Sequence, residues 1–230
     1  MLAIRHLFFD LDHTLWDFDR NAADTLRALH TAHDFGRWFT PDEFIAPYTR
    51  INHAAWEQFH CGAISQTTLR TSRFPDTFRA LGAPPEAVPA GLGEAFIYEC
   101  SGRSGTFPHA HTVLAELRVR GYPLHIVTNG FRDSQYRKLS ASGLAPYFTE
   151  IVTTDCAGCA KPDPRIFALA LARAGAHAAE SAMIGDSLTA DVRGAEAAGL
   201  TGVFFNPAGV VTPEPIRYEI RDLRELLVLL

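Results

Sequence analysis

An alternation constrains this chain more than any other feature. Short apolar runs at residues 4–10, 122–128, 150–153, 181–185 and 202–205 are separated by helix-length amphipathic segments, among them 109–120, 132–142, 163–174 and 188–198. Gly121, Gly143, Gly175 and Gly199 close those four segments, and glycine ends a helix readily because it enters the left-handed region without a side-chain clash. Runs that are apolar throughout suit strands buried on both faces, as in parallel sheets. The pattern predicts an α/β fold, a doubly wound parallel (Rossmann-like) sheet. A short strand near Tyr218 and a helix from Asp222 would complete it.

Residues 17–100 break this rhythm with repeated helix signals and no convincing strand. Thr40-Pro41-Asp42-Glu43 combines an N-cap, a proline at the first helical position and a capping-box glutamate. Phe44, Ile45, Tyr48, Ile51, Ala55 and Phe59 follow at helical spacing. Ser65 opens another helix toward Leu81, Gly82 and Pro84-Pro85 interrupt, and a last helix is expected over about 87–100. The expected organisation is an α/β core domain of residues 1–16 and 101–230 with an inserted α-helical cap domain of residues 17–100. Two connections, near 16–21 and 99–106, would let the cap close over the core, the second through a flexible stretch at 101–105.

Composition narrows the function classes. The formal charge is −5, from 21 Lys+Arg against 26 Asp+Glu spread singly, which gives no electrostatic footprint for a nucleic-acid polymer or an anionic membrane. Small-molecule partners are expected, for a monomer or homodimer. A 47% hydrophobic share without biased tracts argues against disorder. The longest aliphatic run, 226–230, is too short to span a bilayer, and Asp10 and Asp12 interrupt the apolar N-terminal stretch. The expectation is a soluble cytoplasmic protein. Four cysteines, at 61, 100, 156 and 159, are too few for a disulfide scaffold, and the spacing of Cys156 and Cys159 has no second pair to complete a zinc site. His109 and His111 follow Pro108 and read as a helix start rather than a metal pair. Residues 101–105 match neither a serine-hydrolase elbow nor a P-loop.

Asp10 and Asp12 stand two apart at a strand end, so both side chains project to one side. Two such carboxylates repel unless a divalent cation sits with them, and an all-oxygen site suits Mg²⁺. An isolated pair of this kind more commonly caps a loop. Here Thr128-Asn129-Gly130 ends a second run, Lys161-Pro162 precedes a helix, and Gly185-Asp186 ends another run with Asp191 five residues on. In an open α/β sheet the carboxyl ends of the strands are where ligands bind. Carboxylates, a lysine, a hydroxyl and a hard metal form the inventory for phosphoryl transfer.

The segments Asp10-Leu11-Asp12-His13-Thr14, Thr128-Asn129, Lys161-Pro162 and Gly185-Asp186 through Asp191 resemble, in order, the four motifs of the haloacid dehalogenase-like (HAD) hydrolase superfamily, and the helical insert after the first motif resembles its caps. The resemblance covers the whole chain and implies a phosphatase. It implies Asp10 as the nucleophile that forms an aspartyl-phosphate and Asp12 as the acid that protonates the leaving oxygen and then activates water. Thr128, Asn129 and Lys161 would hold the phosphoryl group. Asp186, the Asp10 carboxylate and the Asp12 backbone carbonyl would ligate Mg²⁺, with Asp191 supporting them by orienting Lys161 or a water at the metal. His13 stands where the superfamily most often has glycine, so an unusual backbone conformation is expected there.

Residues 8–19, with Asn52 to Trp56, 62–64 and 73–74, look like the YjjG-type pyrimidine 5′-nucleotidases. That resemblance implies pyrimidine nucleoside monophosphates (dUMP, dTMP, UMP) as substrates. Phe18 and Trp56 would stack on a base and Asn52 and Arg73 would read its polar edge; the plain alternative for each is packing within the cap. The competing readings are a sugar-phosphate phosphatase such as an N-acylneuraminate-9-phosphatase, a 2-haloacid dehalogenase, which needs neither Asp12 as an acid nor Asp186 as a metal ligand, and a catalytically silent binding protein.

Overall fold

The structure, a computed structural model, describes residues 4–212 and 214–230; residues 1–3 of the expected core segment lie outside the described residues. Strand β1 (His6–Phe9) is followed by helices α1 (Phe18–Ala32), α2 (Pro41–His60), α3 (Gln66–Ala80), α4 (Leu92–Ser101) and α5 (Ala110–Val119). Strands and helices then alternate: β2 (Leu124–Thr128), α6 (Arg132–Ala141), β3 (Phe148–Thr153), α7 (Thr154–Ala157), α8 (Pro164–Ala174) and β4 (Ser181–Gly185). A π-helical segment, Leu188–Arg193, runs into α9 (Gly194–Ala197), and β5 (Thr201–Phe205), β6 (Glu219–Ile220) and α10 (Leu226–Leu229) close the chain.

The strands form one parallel sheet in the order β3-β2-β1-β4-β5-β6. This is the doubly wound α/β fold, and the apolar runs follow from it, since β2 and β4 are buried along their whole length. On one face Phe8, Val127, Val152 and Met183 pack with Ile166, Phe167 and Ala170 of α8. The chain leaves β1 toward one half of the sheet and reaches β4 on its other side. Connections diverge there and open a crevice at the carboxyl ends of the two central strands. Asp10 follows β1 and Asp186 follows β4, so the switch point itself brings residues 176 positions apart in sequence to one place.

Two compact units emerge, one running to Phe18 and resuming at Ser104, the other Asp19–Arg103. Both boundaries fall later than the sequence suggests because both connections are hydrogen-bonded into the sheet unit. The Phe107 N–H donates to the Leu15 carbonyl at 2.9 Å and the Asp17 N–H to the Gly105 carbonyl at 3.2 Å. Trp16 also pairs with Thr106 in an antiparallel bridge. Within the stretch 101–105, Arg103 is tied to the helical unit, donating from Nε to Thr25 Oγ1 at 3.1 Å and from Nη2 to the Asp24 carbonyl at 3.2 Å.

The helical unit is organised by its caps and its aromatic rings. The Thr40 hydroxyl accepts from the Glu43 N–H at 3.3 Å while the Glu43 carboxylate accepts from the Thr40 N–H at 2.8 Å, closing the expected capping box on α2. Ser65 caps α3 through the Thr68 N–H at 3.1 Å. Ring pairs such as Phe35 and Phe78 at 5.0 Å, Tyr48 and Phe74 at 4.8 Å, and Tyr48 and Phe96 at 5.0 Å tie the helices into one aromatic interior. The last helix begins at Leu92, later than expected, because the left-handed Gly91 (φ 76°) ends the preceding turn and starts α4.

Away from the carboxyl edge, a directional chain of hydrogen bonds crosses three strands. His6 Nδ1 and His125 Nε2 are 3.2 Å apart, His125 Nδ1 and Thr149 Oγ1 2.9 Å, and Thr149 Oγ1 donates to the Leu124 carbonyl at 3.2 Å. With the threonine proton so committed, His125 donates from Nδ1 and accepts at Nε2, which is the neutral ring. Burial holds His125 down at about 4, with His6 pushing the same way. A depressed histidine keeps its full stabilising effect above its unfolded value near 6.5 and loses it as the pH falls toward 4. We expect about 2 kcal/mol of stability to disappear between pH 7 and pH 5 on this account, less some solvent screening. Urea unfolding of wild type and His125→Gln at the two pH values checks it, since the variant should lose clearly less; equal losses would refute the assignment.

Candidate active site

The first carboxylate is placed by the sheet. The Asp10 N–H donates to the Ile184 carbonyl at 2.9 Å, extending the pairing of β1 with β4. Three residues on, His13 adopts the left-handed conformation (φ 62°) that the sequence flagged, with its N–H on the Trp16 carbonyl at 3.0 Å. This tight turn brings Thr14 back toward the end of β4. The Thr14 hydroxyl donates to Asp186 Oδ1 at 3.2 Å and accepts from the Asp186 N–H at 3.1 Å.

Lys161 is 3% exposed and lies at the centre of the group. Its Nζ donates to Asp10 Oδ1, Asp191 Oδ1 and the Val127 carbonyl, each at 2.6 Å. Burial disfavours its charge, but Asp10 and Asp191 outweigh that and raise its affinity for the proton. The loop carrying Lys161 is clamped by Asn129, whose amide donates to the Lys161 carbonyl at 3.0 Å and accepts from the Lys161 N–H at 2.7 Å. The Asn129 side chain, expected to point at a phosphate, thus braces the lysine loop through both of its amide atoms.

Asp191 explains the departure from the expected helix over 188–198. The π-helical segment lets its side chain turn back, so that Oδ2 accepts from the Ser187 N–H at 2.9 Å while Oδ1 meets Lys161. Gly185 is required for this, because a Cβ there would overlap the Asp191 carboxylate.

The electrostatics are those of a site short of positive charge. Asp10, Asp186 and Asp191 bring carboxylate oxygens within 4.8 Å of one another. Burial raises Asp10 well above the usual carboxylate range, with Asp191 and Asp186 adding and Lys161 opposing. Asp186 is pushed up to about 6, by burial first and Asp191 second. One lysine cannot neutralise three clustered carboxylates, two of them buried. The second oxygen of Asp10 accepts no hydrogen bond from the described residues. Hard oxygen donors with unanswered negative charge suit a divalent cation such as Mg²⁺ and do not suit a soft metal.

Asp12 faces a different partner. Lys138 of α6 donates from Nζ to both its oxygens, at 2.6 and 2.8 Å, and Gln135 donates to Oδ2 at 3.0 Å. Gln135 also accepts from the buried Thr128 hydroxyl at 3.2 Å, and Thr128 accepts from the Gly130 N–H at 3.1 Å. Sequence reasoning missed Lys138 and Gln135. A signal was present: of the 21 lysines and arginines only Lys138 and Lys161 are lysines, and both contact the aspartates of the first motif.

The remaining predicted residues divide between the units. Phe18 belongs to the sheet unit, its ring 5.1 Å from that of His13. Within the helical unit Arg73 donates from Nη1 to Asn52 Oδ1 at 2.7 Å, both side chains being buried. The two bond each other here, in line with the packing alternative given for each. The Nε of Arg73 and the Tyr48 hydroxyl are buried without a hydrogen-bond partner among the described residues. Trp56 is half-buried, its ring 5.8 Å from Phe59 and 5.5 Å from His60.

A doubly wound sheet whose switch point gathers three carboxylates around a buried lysine is the framework of an α/β enzyme. Residues 4–199 match the haloacid dehalogenase-like hydrolase family. Over 97% of its length the chain is 30% identical to pyrimidine 5′-nucleotidase PynA of Streptococcus pneumoniae, covering 93% of that protein. It is 32% identical to pyrimidine 5′-nucleotidase YjjG of Escherichia coli over 97% of its own length and 96% of the relative's. The solved structure of HAD-hydrolase YfnB of Bacillus subtilis, described as bound to magnesium and as revealing interdomain movement, matches with a TM-score of 0.86 at 32% identity over 98% of each chain. The protein belongs to the haloacid dehalogenase-like hydrolase family and is an enzyme, with named phosphatases among its nearly full-length relatives. Among the described residues no helix is long and apolar enough to cross a membrane.

Proposed function

We propose that this enzyme is an Mg²⁺-dependent phosphomonoester hydrolase with an aspartyl-phosphate intermediate, acting on pyrimidine nucleoside monophosphates. The observation that carries the chemistry is Asp10, fixed through one oxygen by Lys161 at 2.6 Å and bare of hydrogen bonds from the described residues at the other, with Asp12 two residues away. In this reading Asp10 Oδ2 attacks phosphorus and the ester P–O bond breaks. Asp12, ion-paired with Lys138 here, takes up a proton from solvent before turnover and gives it to the departing oxygen. Water then attacks the phosphoryl group, Asp12 takes a proton from it, and the bond to Asp10 breaks to release inorganic phosphate. Lys161 holds Asp10 in line and offers positive charge to the phosphoryl oxygens. Asp10, Asp186 and the Asp12 backbone carbonyl would hold Mg²⁺, which when bound supplies charge neutralisation between the carboxylates and the phosphate.

The substrate reading is supported by the two full-length relatives named as pyrimidine 5′-nucleotidases. In the proposed cap, half-buried Trp56 suits stacking on a base and the unpaired Arg73 Nε suits a polar edge. Phosphate release from dUMP, dTMP, UMP, AMP, an N-acylneuraminate phosphate and simple sugar phosphates tests it, with Mg²⁺ and again after chelation. Pyrimidine monophosphates should exceed the other esters by tenfold or more in kcat/KM, and chelation should abolish all release. Preference for a sugar phosphate would overturn the substrate and keep the chemistry, whereas release that survives chelation would overturn the metal.

A further inference from the structure

Asp10 and Asp12 project from one strand end, yet each is held by a lysine of its own. Lys138 reaches Asp12 from α6, one face of which carries Gln135 and Lys138 three residues apart. The Lys138 side chain is 7% exposed and its Nζ sits between the two Asp12 oxygens at 2.6 and 2.8 Å. Gln135 fixes the third direction through Oδ2 at 3.0 Å, and is itself held by the Thr128 hydroxyl. The ammonium has aromatic walls, 4.6 Å from the Trp16 ring centroid and 5.5 Å from that of Phe18. A chain that uses arginine at nineteen positions and lysine at two has placed a compact point charge with rotatable donors here, in place of arginine's planar fork.

We propose that Lys138, seconded by Gln135, is a positioning residue for Asp12: it fixes the direction of that carboxylate so that it faces the departing oxygen of the ester. The proposal rests on the phosphatase reading above. A merely structural ion pair would affect every substrate alike. A group that aims the acid matters in proportion to how badly the leaving oxygen needs a proton. A nitrophenolate departs without one, and the alkoxide of a nucleoside or sugar does not.

The test is kcat/KM, which covers the steps up to departure of the alcohol, for p-nitrophenyl phosphate and for the best alkyl phosphate of the panel. For Lys138→Met we expect a fall of about 100-fold on the alkyl ester and less than about 10-fold on the aryl ester, most of it in kcat rather than KM. Lys138→Arg should lie between Lys138→Met and wild type, with the same bias, and it carries the test if Lys138→Met does not fold. Equal losses on the two esters, or no loss on either, would overturn the positioning role. If wild type itself releases no phosphate from any ester above an Asp10→Asn blank, the phosphatase reading falls and this proposal with it.

Discussion

Asp10→Asn is expected to bring phosphate release down to the uncatalysed background, a loss of at least about 10⁴-fold, while the metal-free protein becomes more stable. The two effects share one cause. Burial, with Asp191 and Asp186 nearby, holds Asp10 well above the usual carboxylate range. A raised carboxyl is penalised in the folded state as the pH climbs past its unfolded value, so at neutral pH the ionised group opposes folding when no cation is present. Asparagine removes that charge, keeps an oxygen for the 2.6 Å contact from Lys161, and cannot attack phosphorus. Melting temperatures in chelator at pH 7.5, beside phosphate release with Mg²⁺, check both halves. Turnover within 100-fold of wild type would remove Asp10 from the nucleophile's role, and a variant that melts below wild type would contradict the electrostatic account.

Lys161→Met should act in the opposite direction on stability and the same direction on activity. The substitution keeps the length of the side chain but strips Asp10, Asp191 and the Val127 carbonyl of one shared donor. Three clustered carboxylates, two of them buried, would then face one another without a cation, and removing one partner of a buried ion pair costs about 3–5 kcal/mol. Release of phosphate should fall by at least about 10³-fold. The pair Asp10→Asn and Lys161→Met touch through a single contact, so the double variant should be more stable than Lys161→Met alone by more than Asp10→Asn adds to wild type. Urea unfolding of the four proteins in chelator measures this, and strict additivity would mean that Lys161 is not stabilised by Asp10.

Much of the site was legible because sequence motifs sit at strand ends. An apolar run fixes where a parallel strand lies, and the residue after it must lie at the carboxyl edge, so Asp10, Thr128 and Asp186 were locatable without coordinates. The positive φ at His13 followed from the resemblance, since the superfamily most often has glycine at that position. Lys138 and Gln135 were not, since a polar pair on a helix is ordinarily its solvated face; only the tertiary fold brings both side chains onto Asp12. For Asn52 and Arg73 the residue order left contact with a base edge and packing within the cap side by side, and only the folded helical unit shows the two bonded to each other. The π-helical turn at Leu188–Arg193 was read as ordinary helix because hydrophobic spacing does not register one extra residue per turn.

What the sequence by itself determined is the sheet, its parallel sense, the edge that bears the chemistry and the presence of a helical insert, because burial on two faces and glycine stops are written locally in residue order. The tertiary structure alone decided which charges meet. Lys161 could have served any carboxylate at that edge; the order β2-β1-β4 and the turn of Asp191 under Gly185 give it Asp10 and Asp191 together. Asp12 was left to Lys138. Such pairings depend on distances between residues 30 to 151 positions apart, set by how strands are ordered and helices packed, and strand order is a property of the whole sheet rather than of any segment in it.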